Sequence, residues 1–330
     1  MPLFISCRSA LTALTLSGIA AYLLIPVPFP ETASKITARG QATVVLDQAM
    51  SAKDAKRIAK SFSVDGPPEG GVFLRGRHGV TFYTLDGDNL DKLVVLAHGL
   101  GTSLRIYDDF VEPLVKAGYS VLRYDYFGHG WSVPDDKIPT VDKHVLMNQL
   151  EDLLDTVFAG LPDAKTHPVH TIVGHSTGGV VGTLASETDL QAHPVKNMFL
   201  VSPAYYAVKP TIAKIADNIP GVLQAVFRRK LLHSLISDAY AENGVNSWGR
   251  DASGKYHFAE RRSAQEALNA KMFANHPFII GGIFGINSYL LTEPLLATYR
   301  DLMSRSKCRT LIAWGVLDIV VPYVRCGYSC

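Results

Sequence analysis

Apolar residues occur in short consecutive runs along much of this chain rather than in alternation with polar ones. The clearest runs are Leu93 to Ala97, Val121 to Tyr124, His170 to Val173, Met198 to Val201 and Thr310 to Trp314. Such runs are typical of strands that are buried on both faces of a parallel sheet. Upstream, Val72 to Arg75 and Val80 to Leu85, joined through Gly76 and Gly79, predict a β-hairpin.

Helical periodicity fills the segments between these predicted strands. In the clearest case the apolar positions recur at Leu146, Leu150, Leu153, Leu154, Val157 and Phe158. Thr140 is predicted to be the N-cap of this helix, and a further helix is predicted from Val180 to Ser186. Strands that alternate with helices predict an α/β fold with a mostly parallel, doubly wound sheet.

The alternation stops between residues 205 and 295, where helical patterns follow one another without an intervening strand. We predict that these residues form a helical cap, inserted between a first core segment, residues 71–204, and a second, residues 296–330. A cap at this point covers the sheet edge where open α/β folds bind ligands. The alternative is that the apolar stripes only pack against one another.

The first 30 residues differ in character from the rest of the chain. Arg8 precedes an apolar run from Ala10 to Phe29, and no clear cleavage signal follows that run. The pattern predicts a membrane anchor or a signal peptide, with a buried core helix as the alternative. We therefore expect a membrane-associated or secreted protein. Residues 31–70 are predicted to be a linker that contains one helix, from about Thr43 to Phe62.

Composition and charge narrow the classes of partner. The 32 basic and 30 acidic residues leave a net charge of +2, which argues against nucleic acid as a partner. Cys326 and Cys330 have neither nearby histidines nor a second cysteine pair, so that a zinc site is a poor interpretation. No cofactor is predicted either, because no glycine-rich phosphate-binding motif follows a predicted strand.

The strongest chemical signal is the sequence GHSTGG at residues 174–179, between a predicted strand and a predicted helix. It fits the motif G-x-S-x-G in the context that this motif requires, with Ser176 as the candidate nucleophile. Gly174 and Gly178 are needed because side chains on so tight a turn would collide with the neighbouring backbone. The following helix directs its N-terminus at developing negative charge.

A second glycine-bearing loop, HGLGT at residues 98–102, follows the predicted strand Leu93 to Ala97. In the predicted fold this loop completes an oxyanion hole, formed by the backbone N–H groups of Leu100 and Thr177. Gly99 lets the backbone approach the substrate oxygen closely. His98 is interpreted as a residue that holds the loop rather than as a base.

Two aspartates follow other predicted strands. Asp318 stands shortly after Thr310 to Trp314, and we predict that it is the acid of a catalytic triad, with a helix N-cap as the alternative. Asp125 and His129 share a turn after Val121 to Tyr124. A loop-stabilising hydrogen bond is a simpler use of these two side chains than a second acid–base pair.

Together these motifs resemble the α/β-hydrolase superfamily, and most of all its serine hydrolases of the monoacylglycerol-lipase and serine-aminopeptidase type. The resemblance extends from about Gly71 to Pro322. It implies that Ser176 is the nucleophile, that Asp318 is the acid, and that acyl esters enter beneath the cap. It also implies a catalytic histidine after one further strand, whereas the last histidine of the sequence is His276.

We expect the sheet to lack its last strand, because the strand that precedes the catalytic histidine in this family is missing together with the histidine. The missing histidine leaves several interpretations open. The leading one is a shortened form of an active enzyme; the others are an inactive homologue and an enzyme with a relocated base, for which the candidates are His175, His233, His257 and His276. We predict a serine hydrolase that cleaves carboxylic esters, above all lipid-like acyl esters, through an acyl-enzyme on Ser176. The alternative function is lipid or partner binding without catalysis.

Overall fold

The computed structural model describes the strands and helices around the predicted site. Its described residues are 45–46, 70–135, 141–159, 161, 166–186, 190, 192–205, 300–301, 303–304, 306–315, 318 and 321. The predicted cap helices and the N-terminal segment 1–30 lie outside these residues. The expectation that the sheet lacks its last strand stays a prediction. Within the described ranges no helix is long and apolar enough to span a bilayer.

One mixed sheet organises the described residues. Its strands are β1 (Val45–Leu46), β2 (Gly71–Gly76), β3 (Gly79–Asp86), β4 (Leu93–Ala97), β5 (Ser120–Tyr124), β6 (Val133–Pro134), β7 (Val169–His175), β8 (Val195–Val201) and β9 (Arg309–Ala313). Their order is β1-β2-β3-β5-β4-β7-β8-β9, with β6 paired to β3. Because β4, β5, β7, β8 and β9 run parallel, the prediction of a mostly parallel α/β sheet is confirmed.

All the strands that were predicted from apolar runs are present. Their ends lie within three residues of the predicted ones. The hairpin of β2 and β3 is antiparallel, with Val72 opposite Tyr83 and Arg75 opposite Val80. The run Leu93 to Ala97 forms β4 with the predicted bounds. Apolar residues fix these strands because their side chains gain most by leaving water for the sheet's covered faces.

The predicted helix from Thr43 to Phe62 is wrong at its beginning. Val45 and Leu46 form β1, which pairs in parallel with Val72 and Phe73 of β2. Thr43, Val44 and Val45 are β-branched, and such side chains suit a strand better than a helix once a sheet edge offers hydrogen bonds. The remainder of the predicted helix lies outside the described residues.

Three α-helices are described: α1 (Asp108–Lys116), α2 (Lys143–Phe158) and α3 (Thr177–Ala185). The predicted N-cap of α2, Thr140, is wrong, because Asp142 occupies that position. The Asp142 carboxylate accepts hydrogen bonds from the backbone N–H groups of His144 and Val145, both at 3.0 Å. Asp is as good an N-cap as Thr, and here it stands directly before the first helical residue.

Burial is uneven across the sheet. Every residue of β4 is at most 3% exposed, as predicted for a strand covered on both faces. The same prediction is wrong for β9, where Leu311 is 64% and Ile312 is 40% exposed. Among the strands described, β9 is last in the sheet order and pairs with β8 alone, which leaves its side chains fewer neighbours.

The strand order reverses direction at β4, since β5 lies on one side of it and β7 on the other. In open α/β sheets, ligands bind at such a switch point, beyond the carboxyl ends of the strands. The loops after β4 and β7 are those that carry residues 98–102 and Ser176. The fold therefore brings the two strongest sequence motifs together.

Candidate active site

Ser176 stands alone between a strand and a helix, directly after β7 and directly before α3. Its backbone has φ 54° and ψ −114°, a conformation that residues other than glycine rarely adopt. Its N–H donates to Val201 O at 2.9 Å, and its carbonyl accepts from the N–H groups of Gly179 (2.9 Å) and Ala204 (3.0 Å). These hydrogen bonds stabilise the strained turn.

The glycines around Ser176 are required by close packing. A Cβ at Gly174 would overlap the Gly178 carbonyl and stand 2.6 Å from Gly179 N. A Cβ at Gly178 would overlap the Ala97 carbonyl at the end of β4. The collision that was predicted for a side chain at either position is therefore confirmed. Because both residues are glycines, the N-terminus of α3 can lie against the end of β4.

The loop that follows β4 lies against Ser176. A Cβ at Gly99 would stand 3.3 Å from Ser176 Cβ and 2.9 Å from His175 Nδ1, so a side chain at this position would crowd the serine. Leu100 follows in the same loop. Thr177 is the first residue of α3, where backbone N–H groups have no partner within the helix. Leu100 and Thr177 thus belong to two segments that meet beside Ser176. The role of their N–H groups as an oxyanion hole stays a prediction.

Hydrogen bonds to its carbonyl oxygen hold the peptide group between Gly99 and Leu100 in place. Gly99 O lies 2.8 Å from His98 Nδ1 and accepts from Thr102 Oγ1 at 2.8 Å. In a trans peptide the carbonyl and the next N–H point in opposite directions. Fixing Gly99 O therefore also fixes the direction of the Leu100 N–H.

His98 is a loop-holding residue, as interpreted from the sequence. It is fully buried, and its Nε2 accepts the backbone N–H of Tyr126 at 3.1 Å. Since Nε2 accepts, Nδ1 carries the proton and donates to Gly99 O. Burial lowers the pKa of His98 well below its ordinary value, which keeps the ring neutral and both hydrogen bonds in place.

Asp125 also stabilises loops, as predicted, and has no exposed surface. Its carboxylate accepts the N–H of Leu104 at 2.7 Å and that of Trp131 at 2.9 Å. Burial raises its pKa to about 7, although the two backbone hydrogen bonds oppose that shift. His129 is equally buried, and burial lowers its pKa to about 4.

Asp318 follows β9 along the chain. We call the four described residues Trp314, Gly315, Asp318 and Val321 the acid loop. Its Oδ1 accepts the N–H of Val321 at 2.8 Å, and its own N–H donates to Gly315 O at 3.1 Å. The Trp314 indole N–H donates to Val321 O at 2.7 Å. One carboxylate oxygen of Asp318 thus accepts a local backbone hydrogen bond like that of a helix N-cap, which was the alternative interpretation of this residue. The loop orients the carboxylate in doing so.

His175 adjoins Gly99 and lies within electrostatic range of Asp318. Burial lowers its pKa, and the negative charge of Asp318 acts in the opposite direction, which indicates that the two side chains are near each other. The ring of His175 also adjoins Gly99. The fold therefore brings the predicted acid to the same end of the sheet as Ser176 and the loop after β4.

The model of the family described as serine aminopeptidase, S33, matches residues 88–324, which include all of these site residues. The chain belongs to this family. It is accordingly a serine hydrolase of the α/β-hydrolase superfamily, in agreement with the resemblance inferred from its motifs.

Individual relatives of this S33 chain are distant. It is 25% identical over 254 residues to a proline iminopeptidase from Lactobacillus helveticus, a match that covers 74% of this chain and 80% of the peptidase. Among solved structures, the enol-lactonase from Burkholderia xenovorans LB400 has a TM-score of 0.56 at 20% identity, covering 77% of this chain and 85% of the lactonase.

A thermophilic esterase from Thermogutta terrifontis has a TM-score of 0.52 at 15% identity, covering 78% of this chain and 85% of the esterase. These structural similarities confirm the predicted fold.

The catalytic base of this S33 chain is the least defined part of the site. In the part of the chain that the structure describes, no hydrogen bond joins a histidine ring to Ser176. Three of the candidates for a relocated base, His233, His257 and His276, lie outside the described residues. His175 is the fourth, and its ring adjoins Gly99 as stated above.

Some contributors to the site carried no recognisable sequence signal. Ala204 donates to Ser176 O, and Pro203 packs against Gly179 closely enough that a Cβ there would stand 2.9 Å from Pro203 Cα. Both follow β8, because strand pairing with β7 places the end of β8 beside Ser176. A pattern read along the chain does not reveal such a neighbour.

Metal and thiol chemistry find no support among the residues described. No group of three or more His, Cys, Asp or Glu side chains in these ranges is arranged to hold a metal ion. Burial raises the pKa of the Cys308 thiol to about 11, so that the reactive thiolate form is scarce at neutral pH.

Proposed function

We propose that this chain hydrolyses carboxylic esters, above all lipid-like acyl esters, through an acyl-enzyme formed on Ser176. The observation that carries the proposal is the arrangement of Ser176 at the start of α3, against the loop that carries Leu100. In such an arrangement a serine hydroxyl attacks the ester carbonyl, and the oxygen that becomes negative lies near the N–H groups of Leu100 and Thr177.

Asp318 is the proposed acid. A carboxylate in this role holds an imidazole in the correct tautomer and stabilises its cation when the serine proton is transferred. One oxygen of Asp318 bonds Val321 within the acid loop, which gives the carboxylate a fixed direction. A histidine that completes the triad takes the serine proton and later gives it to the leaving alcohol.

Ester hydrolysis is favoured over peptide hydrolysis by the apolar character of the predicted cap and N-terminal segment. Apolar helices over the sheet edge suit an acyl chain, and an anchor keeps the protein at a membrane, where lipid esters are found. Some relatives have names that point to ester bonds, namely an esterase and an enol-lactonase, whereas the proline iminopeptidase points to peptides. The test must therefore separate these two substrate classes.

The experiment measures labelling of the full chain by a fluorophosphonate probe, together with hydrolysis of p-nitrophenyl butyrate, p-nitrophenyl laurate and proline p-nitroanilide. Ser176→Ala is expected to abolish labelling and to lower ester turnover on the order of a millionfold, because the nucleophile is lost. Ser186→Ala is the matched control, since Ser186 lies just after the other end of α3 and bonds Thr183 O.

Each outcome has a separate meaning. Labelling with turnover of the laurate ester supports the proposal, while turnover of the proline substrate alone assigns the site to peptides. A properly folded wild-type chain that neither reacts with the probe nor hydrolyses any ester contradicts catalysis. Binding of a fatty acyl chain that is unaffected by Ser176→Ala would then favour the predicted binding protein.

A further inference from the structure

Asp125 is a buried acid that the proposed reaction does not use. It stands directly after β5, and both oxygens of its carboxylate accept backbone N–H groups, from Leu104 and Trp131. The turn around it is shaped to fit: Gly130 has φ +45°, and a Cβ on Gly130 would overlap the Asp125 carboxylate. Burying a carboxyl group costs free energy, which the two backbone hydrogen bonds offset only in part.

The two N–H groups that Asp125 binds belong to different loops. Trp131 lies in the turn after β5, whereas Leu104 begins the short 3-10 helix that ends the loop after β4. Leu104 is completely buried and is four residues beyond Leu100. The carboxylate therefore fixes the far end of the loop that carries the proposed oxyanion donor.

The near end of that loop is held from the same place. Tyr126, the neighbour of Asp125, donates its N–H to His98 Nε2, and His98 Nδ1 donates to Gly99 O. Asp125 is itself anchored, because its N–H donates to Phe82 O and its carbonyl accepts Ser132 Oγ at 2.6 Å and Gln149 Nε2 at 3.0 Å. Asp125 and Tyr126 thus form hydrogen bonds to both ends of the loop at residues 98–104.

We propose that Asp125 is a positioning residue of the oxyanion hole, which sets the place of the Leu100 N–H through its hydrogen bond to Leu104. This inference rests on the proposed function. An N–H that points at the oxyanion acts on the transition state more than on the bound ester. Displacing it lowers kcat and leaves KM nearly unchanged.

The primary test is Asp125→Asn in the full chain. The amide keeps the shape of the side chain but presents an NH₂ group to one of the two backbone N–H donors, so one hydrogen bond is lost. We expect kcat for p-nitrophenyl butyrate to fall roughly tenfold to a hundredfold, less than removal of an oxyanion donor costs, with KM within about twofold. Turnover is expressed per fluorophosphonate-titrated site, which removes the effect of misfolded protein.

Asp155→Asn is the matched control. Asp155 is also a hydrogen-bonded carboxylate, but its partner is His193, at 2.8 Å, in the turn before β8 and away from Ser176. This variant is expected to keep kcat per titrated site. An equal loss in both variants would show that the effect is a general consequence of losing a carboxylate.

A second pair of variants keeps the proposal testable when Asp125→Asn does not fold. Leu104→Pro removes the N–H donor, and Ser103 already has the extended backbone that a following proline requires (φ −137°, ψ 173°). Leu104→Ala keeps the N–H and creates a comparable cavity. We expect Leu104→Pro to lower kcat per titrated site at least tenfold below that of Leu104→Ala.

The outcomes separate this inference from the proposed function. A wild-type chain that hydrolyses the ester, with unchanged kcat per titrated site in Asp125→Asn or with equal kcat in the two Leu104 variants, overturns the role of Asp125 and leaves ester hydrolysis intact. A loss expressed in KM alone also overturns it. A folded wild-type chain without hydrolysis refutes the proposed function, and the role of Asp125 falls with it.

Discussion

The two sides of the candidate site are built differently. The serine side, comprising β4, β5, β7, α3 and their loops, is largely buried: β4 is at most 3% exposed, and Asp125 and His98 have no exposed surface. The acid side, comprising β9 and the acid loop, has Leu311 at 64% exposed. The serine side is held by contacts between several elements, whereas the acid loop combines three hydrogen bonds within itself with one buried side chain, Val321, in the core.

This difference has a physical consequence for substitutions. In a close-packed region an added methyl group must displace neighbouring backbone, and this displacement lowers the free energy of unfolding. In a loop closed by its own hydrogen bonds, a change alters the direction of one side chain and leaves the fold intact. We therefore expect substitutions on the serine side to affect stability and those on the acid side to affect catalysis alone.

Among the substitutions that compare the two sides, Asp318→Asn has the largest expected effect on turnover. The amide keeps the acceptor oxygen for the Val321 N–H but loses the charge that stabilises the imidazole cation. In triads of this type such a change lowers kcat roughly ten-thousandfold. The measurement is kcat for p-nitrophenyl butyrate together with the urea midpoint of unfolding, which is expected to stay close to that of the wild type.

The control for this prediction is Asp135→Asn, which removes a carboxylate that binds Arg75 through two hydrogen bonds of 2.8 Å. It is expected to change the urea midpoint more than Asp318→Asn does, and kcat far less. If Asp318→Asn retained more than about a tenth of the wild-type kcat, Asp318 would not be the acid of a triad.

A smaller effect, on stability, is expected from Gly178→Ala. The added Cβ would overlap the Ala97 carbonyl and stand 3.0 Å from His98 O, so β4 and α3 must separate. We expect the free energy of unfolding to fall by about 1–3 kcal/mol, as for other overpacked cores. Equilibrium urea unfolding measures this change.

The acid loop offers the matching substitution, Gly315→Ala. A Cβ at Gly315 would have Asp318 Cβ at 3.6 Å as its nearest neighbour, an ordinary contact. The free energy of unfolding is expected to change by less than about 1 kcal/mol, because the methyl group fits and the unfolded chain loses freedom. Equal destabilisation by the two substitutions would refute the proposed difference between the two sides.

The sequence predicted this architecture well where chemistry and packing act locally. Apolar runs located the strands, because a strand that is covered on both faces needs apolar side chains throughout. The motif GHSTGG located the serine turn, because Gly174 and Gly178 have no room for a side chain. The order of the motifs along the chain was enough to infer the family.

Contacts between distant segments were not predictable in this way. The strand at Val45 depends on the edge of β2, and the exposure of Leu311 depends on the position of β9 in the sheet order. Asp125 was predicted to stabilise a loop, but its bond to Leu104 joins two loops that the sheet brings together. Such features follow from strand order, which a single sequence does not display.

The last prediction concerns the pH dependence of stability, which also separates the two sides. Burial lowers the pKa of His129 to about 4 and that of His98 well below its ordinary value of 6.5. Between pH 6.5 and 4 the unfolded chain therefore binds protons that the folded chain does not. Each histidine makes the free energy of unfolding fall by up to about 1.4 kcal/mol for each pH unit of acidification.

Asp125 acts in the opposite direction over much of this range. Its pKa is raised to about 7, so the folded chain holds a proton that the unfolded carboxyl releases above pH 3.8. His175, whose pKa burial also lowers, adds to the contributions of His98 and His129, so the unfolded chain binds more protons in total. Wild-type stability should therefore fall as the pH is lowered from 6 to 5.

Substitution of His129 tests which group is responsible. His129→Asn removes one of these histidine contributions, so the fall in the free energy of unfolding between pH 6 and 5 should shrink by about 1 kcal/mol. His144→Asn is the control, because His144 is exposed on α2 and should leave the wild-type slope in place. Urea unfolding at the two pH values measures all three proteins. A slope in His129→Asn equal to that of the wild type would show that the acid sensitivity arises outside the buried serine side, and the contrast between the two sides would lose its electrostatic part.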